Sequence, residues 1–374
     1  MTPTKKHIVI SAVNIRRGGT LTVLKDCLRY LSSREDLHVT ALVHRQALCD
    51  FPGIDYIEMP WSIQGWLKRL KCEYVTMKGI SRQLPETDLW LSLHDTTPNV
   101  LARRQAVYCQ TSFPFLKVKG RDFVMNPKIA LFALFTRFAY LKNVRRNDYL
   151  IVQQNWLREG LSKMLGVDRK RFIVAPPRFE APAIPAAARE GGVPVFFYPA
   201  IPDCHKNFET ICQAARLLEA RLGTGRFRLV LTLRGDENRY AAWVRKKWGG
   251  VPSIDFHGYV SREELYAYYG NADCLLFPSR IETWGLPVSE FKPTGKPMIL
   301  ADLPYAHETA AGAERVSFAP VCDPEAWAGQ MELVIRGESS NFARIMSTLP
   351  AAPYAPTWEA LFAILLNDES TPTR

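Results

Sequence analysis

Short apolar segments alternate with helical patterns along the whole of this 374-residue chain. The apolar segments have the length and composition of buried strands, and alternation of this kind is typical of parallel α/β folds. A chain of this length exceeds one typical hydrophobic core, which favours about two domains. The predicted strands are 8–13, 39–43, 56–59, 89–93, 106–109, 149–152 and a short one within 168–177, then 195–198, 228–233, 254–257, 274–277 and 298–301.

A stretch rich in proline, alanine and glycine separates the two series of strands. It predicts a linker at 181–194, between an N-terminal domain at 1–180 and a second domain at 195–350. The remaining residues, 351–374, contain an apolar-faced helix from 357 to 366. The fold class predicted is therefore α/β, with two Rossmann-like domains.

The segment from 274 to 290 holds the most informative side chains. Residues 274–277 form an apolar run typical of a buried strand, and Pro287 is typical of the first turn of a helix. Glu282 then lies in the loop and Glu290 inside the helix. In one continuous helix both acids would share a face, but Gly285 and Pro287 argue against it. What remains is a helix start, whose free N–H groups attract phosphate, flanked by two acids; the alternative is a surface loop whose acids are only solvated.

This pattern resembles the retaining GT-B glycosyltransferases of glycosyltransferase family 4 (glycosyl transferases group 1), of the cell-surface polysaccharide type. The matching residues are Phe256-His-Gly258, Glu263-Glu-Leu265, Asn271-Ala-Asp273, Pro278-Ser279, Glu282, Gly285-Leu-Pro287, Glu290, Gly295-Lys-Pro297 and Ala301-Asp302. The resemblance implies a GT-B fold with two Rossmann-like domains facing across a cleft. The first domain would lie on the acceptor side, the second would bind a nucleotide sugar, and the C-terminal helix would return to the first.

The resemblance also implies the roles of individual residues. Glu282 would face the transferred sugar, while Lys206 would neutralise the departing diphosphate, so these two are the catalytic candidates. Glu290 would accept hydrogen bonds from the ribose hydroxyls. The other implied donor-binding residues are Thr283, Trp284, Gly285 and Leu286 at the helix start, Gly258 and Tyr259 beside the base, and Gly18 and Gly19, for which a plain tight turn is the alternative.

The sequence departs from the family pattern at two places. Gln110 stands where relatives commonly have a histidine facing the sugar, so His94 and Asp95 are further candidates on the acceptor or sugar side; alternatively, His94 is a strand-end residue with a local partner. An arginine that usually assists the lysine is absent, and the candidates to replace it are Arg280, Arg234, Arg16 and Arg17. No Asp-x-Asp motif is present, so no metal or other cofactor is expected and the nucleotide sugar is a substrate. No Gly-x-Gly-x-x-Gly follows the first strand, which argues against a dehydrogenase.

The net charge of +11 suggests an anionic partner. Between residues 113 and 146, eight basic residues and a single acid are interleaved with aromatic rings, which suits docking on an anionic membrane surface. The alternative is a core helix with a charged outer face. Nucleic acid is disfavoured because no binding motif is present.

The scattered cysteines and the lack of a signal peptide favour a cytoplasmic protein, peripheral on the inner face of the plasma membrane. The function predicted is transfer of a hexose-type sugar from a nucleotide sugar to a lipid-linked saccharide of O-antigen, capsule or exopolysaccharide. A soluble acceptor, a nucleotide-sugar epimerase and a GT-B-shaped pseudoenzyme or binding protein remain as alternatives.

Overall fold

The computed structural model describes residues 5–177, 182–185, 192–338 and 341–367. These residues divide into two compact units. The first comprises Met1–Thr111, Phe135–Arg178 and Pro350–Arg374, and the second comprises Ser112–Leu134 and Phe179–Leu349. Residues 112–134 thus belong to the second unit although they precede the linker.

Each unit is built on a parallel sheet. The strands are β1 (Lys6–Ala12), β2 (Leu37–Val43), β3 (Ile54–Glu58), β4 (Leu89–Ser92), β5 (Arg104–Cys109), β6 (Tyr149–Val152), β7 (Phe172–Val174), β8 (Val195–Tyr198), β9 (Arg228–Leu231), β10 (Ile254–Phe256), β11 (Cys274–Phe277), β12 (Met298–Ala301) and β13 (Val316–Ala319). In the described part of the chain the first sheet has the order β3-β2-β1-β4-β5-β6-β7 and the second β10-β9-β8-β11-β12-β13. Helices connect most of the strands, as parallel pairing requires.

The helices are α1 (Gly18–Ser32), α2 (Trp66–Lys71), α3 (Met77–Gln83), α4 (Gly120–Met125), α5 (Pro127–Leu141), α6 (Asn155–Leu165), α7 (Phe208–Leu222), α8 (Arg239–Trp248), α9 (Arg262–Asn271), α10 (Leu286–Phe291), α11 (Pro304–Thr309), α12 (Pro324–Ile335) and α13 (Trp358–Leu366). Helix α1 buries one stripe, Val23, Leu24, Cys27, Leu28 and Leu31, against the first sheet. Helix α13 belongs to the same core, where Phe362 stacks on Tyr30 with ring centroids 5.6 Å apart. None of the helices in the described residues is long and apolar enough to cross a membrane.

The α/β fold with two parallel, Rossmann-like sheets confirms the predicted fold class. The central strands were predictable because both of their faces are buried, which leaves a continuous apolar run; every residue of β4, β6, β8, β11 and β12 is buried. Strand β13 was not predicted. Its four residues include Ser317, whose hydroxyl donates to Gln330, and a polar residue in so short a segment obscures the strand pattern.

Candidate active site

The second sheet changes direction between two neighbouring strands. The chain builds outward from β8 through β9 to β10, then returns to the other side of β8 and continues through β11, β12 and β13. The loops that leave the carboxyl ends of β8 and β11 therefore run to opposite sides of the sheet, and open α/β sheets bind ligands at such a switch point. Lys206 follows β8 and Glu282 follows β11, so the topology alone assigns both predicted catalytic residues to this point.

Lys206 and Glu282 form an ion pair. The Nζ atom of Lys206 lies 2.5 Å from Oε1 of Glu282, and the two side chains keep only 19% and 14% of their surface exposed. Lys206 ends the short 3-10 helix Cys204–Lys206, which Asp203 caps by accepting the N–H of Cys204 at 2.6 Å. A cation and a carboxylate that are largely withdrawn from water interact more strongly than a surface pair.

Asn207 connects the loop that carries Lys206 to the loop that carries Glu282. Its φ of +59° is left-handed, a conformation that asparagine tolerates better than most residues. Its amide donates to the carbonyl oxygens of Pro278 at 3.0 Å and Val321 at 2.8 Å. Because Pro278 directly follows β11, this contact fixes the spacing of the two loops that carry Lys206 and Glu282.

Two buried tyrosines brace the same loops. The hydroxyl of Tyr198, at the end of β8, donates to the carbonyl of Lys206 at 2.8 Å and lies 3.1 Å from the hydroxyl of Ser279. Tyr305 donates to the carbonyl of Ser279 at 2.7 Å. Burial raises the pKa of both phenols well above the ordinary value, so they stay protonated and act as donors.

The predicted loop and helix start after β11 are present. Helix α10 begins at Leu286 with Pro287 in its first turn, so Glu282 lies in the loop and Glu290 in the helix, as predicted. Gly285 precedes the helix with a φ of +91°, and an added Cβ there would come within 3.2 Å of the Phe277 ring. Only glycine meets both requirements, because a side chain would be strained and crowded at once. Thr283 and Trp284 complete the turn, with the carbonyl of Trp284 accepting the hydroxyl of Thr309.

Glu290 occupies a separate, partly buried position. Its Oε2 atom accepts the hydroxyl of Tyr269 at 2.7 Å. Burial raises the pKa of the Glu290 carboxyl, and the bond from Tyr269 offsets part of that rise. The acid thus has one lone-pair direction satisfied by protein and others available to a ligand with hydroxyl groups.

Gly258 and Tyr259 follow β10 at the carboxyl edge of the same sheet. The N–H groups of His257 and Gly258 both donate to the carbonyl of Leu231, at 3.0 and 3.4 Å. Gly258 has a φ of +95°, and the Arg234 side chain lies against it. Tyr259 is 81% exposed. These backbone donors are already used, so the contacts that remain are the Gly258 surface and the Tyr259 ring.

Arg280, a candidate to replace the missing arginine beside Lys206, is paired with a different group. It is buried and pairs with both carboxylate oxygens of Asp122, at 2.9 and 3.0 Å, and also donates to the carbonyl of Lys117. Arg234 is exposed and lies 3.9 Å from Asp236. Arg280 therefore anchors residues 117–122 to the loop before Glu282, and its charge is balanced by Asp122.

The first sheet has its own switch point, between β1 and β4. Gly18 and Gly19 follow β1 and open the 15-residue helix α1, where both are exposed and Gly18 has a φ of +71°. A backbone without side chains at the start of a long helix suits an anionic group. His94 and Asp95 follow β4 at the same edge.

His94 is buried with local partners. Its Nε2 lies 3.0 Å from the Ser11 hydroxyl, and its Nδ1 lies 3.1 Å from that of Thr96 and 3.6 Å from Glu73. Burial lowers the pKa of His94 well below its ordinary value, so the ring is neutral. This is the environment expected of a strand-end histidine with local partners.

Asp95 and Gln110 are joined to each other. Oδ1 of Asp95 accepts the N–H groups of Gln110 at 2.5 Å and Thr111 at 3.0 Å, and the Tyr140 hydroxyl at 2.9 Å. Burial raises the pKa of Asp95 to about 6, against the effect of these donors. The Gln110 amide donates to the carbonyl of Leu93 at 2.7 Å, while its Oε1 is buried and has no hydrogen-bond partner among the described residues.

Sequence reasoning did not find the residues that brace the site. Asn207 stands next to Lys206, but nothing in the sequence indicates that its amide reaches across to Pro278. Tyr198, Tyr269 and Tyr305 read as ordinary core aromatics, because a pattern of burial does not show where a hydroxyl group points.

Comparisons with known proteins agree with this architecture. Residues 184–347 match the family described as Glycosyl transferases group 1. No curated protein matches the chain. Among solved structures, sucrose-phosphate synthase from Thermosynechococcus elongatus is 16% identical, with a TM-score of 0.61 over 89% of this chain and 90% of that one.

Two further structures are similar over nearly their full length. The lipopolysaccharide outer core galactosyltransferase WaaB is 13% identical with a TM-score of 0.60, over 90% of this chain and 91% of that one. The HepE protein of Anabaena in complex with UDP-glucose is 12% identical with a TM-score of 0.62, over 90% and 92%. The chain therefore has the fold of GT-B glycosyltransferases, and residues 184–347 carry a glycosyl transferases group 1 domain.

Proposed function

We propose that this protein is a retaining glycosyltransferase of family 4, which moves a hexose-type sugar from a nucleotide-sugar donor to an acceptor hydroxyl. The observation that carries the proposal is the partly buried Lys206–Glu282 pair at the switch point of the second sheet. Both residues were selected from the sequence for this role, and the two loops that carry them are fixed to one another through Asn207.

The pair suits the charges that develop in sugar transfer. As the bond to the diphosphate breaks, negative charge grows on the phosphate and positive charge on the sugar ring. Lys206 would exchange Glu282 for the phosphate when the donor binds. Glu282 would then carry an uncompensated negative charge beside the sugar, where it stabilises the oxocarbenium-like transition state.

Glu290 would bind the ribose of the donor. Its free oxygen positions can accept two hydroxyl groups, and the bond from Tyr269 holds the carboxylate in place. The backbone from Thr283 to Leu286 is the proposed phosphate contact in the second unit, and Gly18 and Gly19 keep the donor-binding role that the family resemblance implies. A donor bound without metal remains the expectation.

The similar structures support a nucleotide-sugar donor, since HepE is described in complex with UDP-glucose. WaaB is described as a lipopolysaccharide outer core galactosyltransferase, which supports a lipid-linked saccharide acceptor in surface polysaccharide assembly. The proposed enzyme would act in the cytoplasm, peripheral on the inner face of the plasma membrane. Sucrose-phosphate synthase supports the alternative of a soluble acceptor. A pseudoenzyme or binding protein of the same shape is the alternative outside catalysis.

Thermal unfolding with UDP, GDP, dTDP and their sugars tests the proposal. A nucleotide that binds the folded state raises the melting temperature by mass action, and one base series is expected to do so. Lys206→Ala removes the phosphate charge and is expected to abolish the shift, whereas Lys246→Ala, on an exposed face of α8, is the control and should retain it. If none of the three nucleotide series raises the melting temperature of the wild type, the proposed nucleotide-sugar donor is contradicted.

A further inference from the structure

Helix α5 presents apolar side chains to solvent. Leu131, Leu134, Phe135, Phe138 and Leu141 are between 38% and 64% exposed. They recur at intervals of three and four residues and therefore form one stripe along the helix, opposite the buried Ala133, Thr136 and Tyr140. A core helix with a charged outer face was the alternative for this segment, but its outer face is mainly apolar.

Basic side chains accompany the stripe. Lys128, Arg137 and Lys142 are exposed on the same helix or directly after it, and residues 127–147 contain no acid. A helix with this composition would gain by placing its rings and leucines at an apolar boundary while its cations meet negative groups.

Another segment, which lies in the first unit, has the same character, and the sequence analysis did not consider it. Trp66 and Leu67 open helix α2 and are 70% and 82% exposed, and Leu70 is 49% exposed. Lys68 and Lys71 lie between and beside them. The single acid in residues 64–83 is Glu73, which is buried and paired with Arg69, so no negative charge reaches the surface here.

The part of α5 that belongs to the first unit, residues 135–141, leads to a contact with the second segment. The ammonium group of Lys142, which follows α5, lies 5.7 Å from the centre of the Tyr74 ring, which follows α2. This contact places the residue that follows α5 beside the segment that follows α2. The surface formed by Trp66, Leu67, Leu70, Phe135, Phe138, Leu141 and their basic neighbours is called the basic apolar surface below.

We infer that the basic apolar surface docks the protein on an anionic lipid bilayer. Its charge is of one sign, which is complementary to anionic headgroups, and its large apolar side chains would enter the boundary between headgroups and acyl chains. Nucleic acid would satisfy the cations but leave the leucines and aromatic rings in water. Only the link to a lipid-linked acceptor rests on the proposed function; the docking itself does not.

This surface includes only part of the basic, aromatic segment 113–146 that the sequence emphasised. In helix α4, which precedes α5, Arg121 pairs with Glu209 and lies 4.8 Å from the centre of the Trp243 ring. The ammonium group of Lys119 lies 3.0 Å from the sulfur of Cys322. Arg121 and Lys119 are thus engaged within the second unit, and the inferred membrane contact lies on α5 and α2.

Sedimentation with vesicles tests the inference. The wild type is expected to bind vesicles of phosphatidylcholine and phosphatidylglycerol at low salt, to bind phosphatidylcholine alone poorly, and to dissociate near about 1 M salt. Two variants, Trp66→Ser with Leu67→Ser and Phe135→Ser with Phe138→Ser, are each expected to reduce partitioning about tenfold or more. Met346→Ser with Leu349→Ser, equally exposed but on the second unit, is the matched control and should bind like the wild type.

Four results would overturn the inference: no vesicle binding by the wild type at low salt, equal binding to vesicles without phosphatidylglycerol, unchanged binding by both variants, or a wild-type dimer that either variant separates. Nucleotide-induced thermal shifts, measured on the same proteins, keep the two proposals apart. Loss of vesicle binding with an unchanged shift leaves the proposed function intact. A wild type that binds vesicles and no nucleotide contradicts the proposed function alone.

Discussion

At the scale of single residues, the chain places its chemistry in partly or fully buried polar groups, each with a defined partner. Lys206 has Glu282, Glu290 has Tyr269, and Asp95 has the backbone of residues 110 and 111. Burial of a charge is costly unless the charge is compensated. A change of pH or a substitution at any of these pairs should therefore change the stability or the ligand binding of the protein.

Asp95 should make stability depend on pH. Burial raises the pKa of Asp95 from 3.8 to about 6. Above pH 6 the folded state therefore holds a charged carboxylate in surroundings that disfavour the charge. The free energy of unfolding should decrease as the pH rises from about 4 to about 6. Asp95→Asn retains an acceptor at Oδ1 and suits the φ of +70°.

The variant is expected to be more stable than the wild type by about 2 to 3 kcal/mol at pH 8, and by little at pH 4. Urea unfolding at both values measures this, with the exposed Asp236→Asn as a control for charge removal. A difference that does not change with pH would show that Asp95 is not the titrating group.

At the scale of elements, the second unit includes a segment that precedes the rest of that unit in the chain. Residues 112–134, with helix α4, join it through the buried Arg280–Asp122 pair and through Arg121 with Glu209. Although burial opposes it, the Arg280 guanidinium and the N–H of Lys119 hold the pKa of Asp122 below its ordinary value. The loop that carries Glu282 is thereby tied to α4.

Breaking this pair on one side should be far more costly than removing it. Asp122→Asn leaves the buried Arg280 uncompensated and is expected to destabilise the protein by about 3 to 5 kcal/mol, while Asp122→Asn with Arg280→Met should recover much of that loss. The exposed pair Arg221–Glu325 provides the control, because Glu325→Gln should cost less than about 1 kcal/mol. Urea unfolding of the wild type, Asp122→Asn, Arg280→Met and the double variant gives the coupling energy, and additive losses would mean that the pair is not energetically linked.

At the scale of the whole molecule, the sequence predicted what depends on local pattern. The strands beside both switch points were readable from their apolar runs, and Glu282, Glu290 and Gly285 from the loop and helix start after β11. Membership of residues 112–134 in the second unit depends on long-range pairs such as Arg280–Asp122 and Arg121–Glu209, which no local pattern contains. The exposed stripe of α5 could not be distinguished from a core stripe, since helical spacing shows that a face is apolar but not whether that face is covered.

The exchange of partners by Lys206 is the central claim, and binding and turnover measured on two variants test it most directly. Calorimetric titration with the nucleoside diphosphate found in the thermal panel should show weaker binding for Lys206→Ala, because the phosphate loses its cation. For Glu282→Gln, binding should be equal or tighter, because Lys206 no longer has a competing carboxylate. Turnover of the nucleotide sugar should be slower, with an activation free energy higher by about 2 to 4 kcal/mol. If Glu282→Gln instead weakens binding as Lys206→Ala does and leaves turnover of the bound donor unchanged, the pair is structural and the account is wrong.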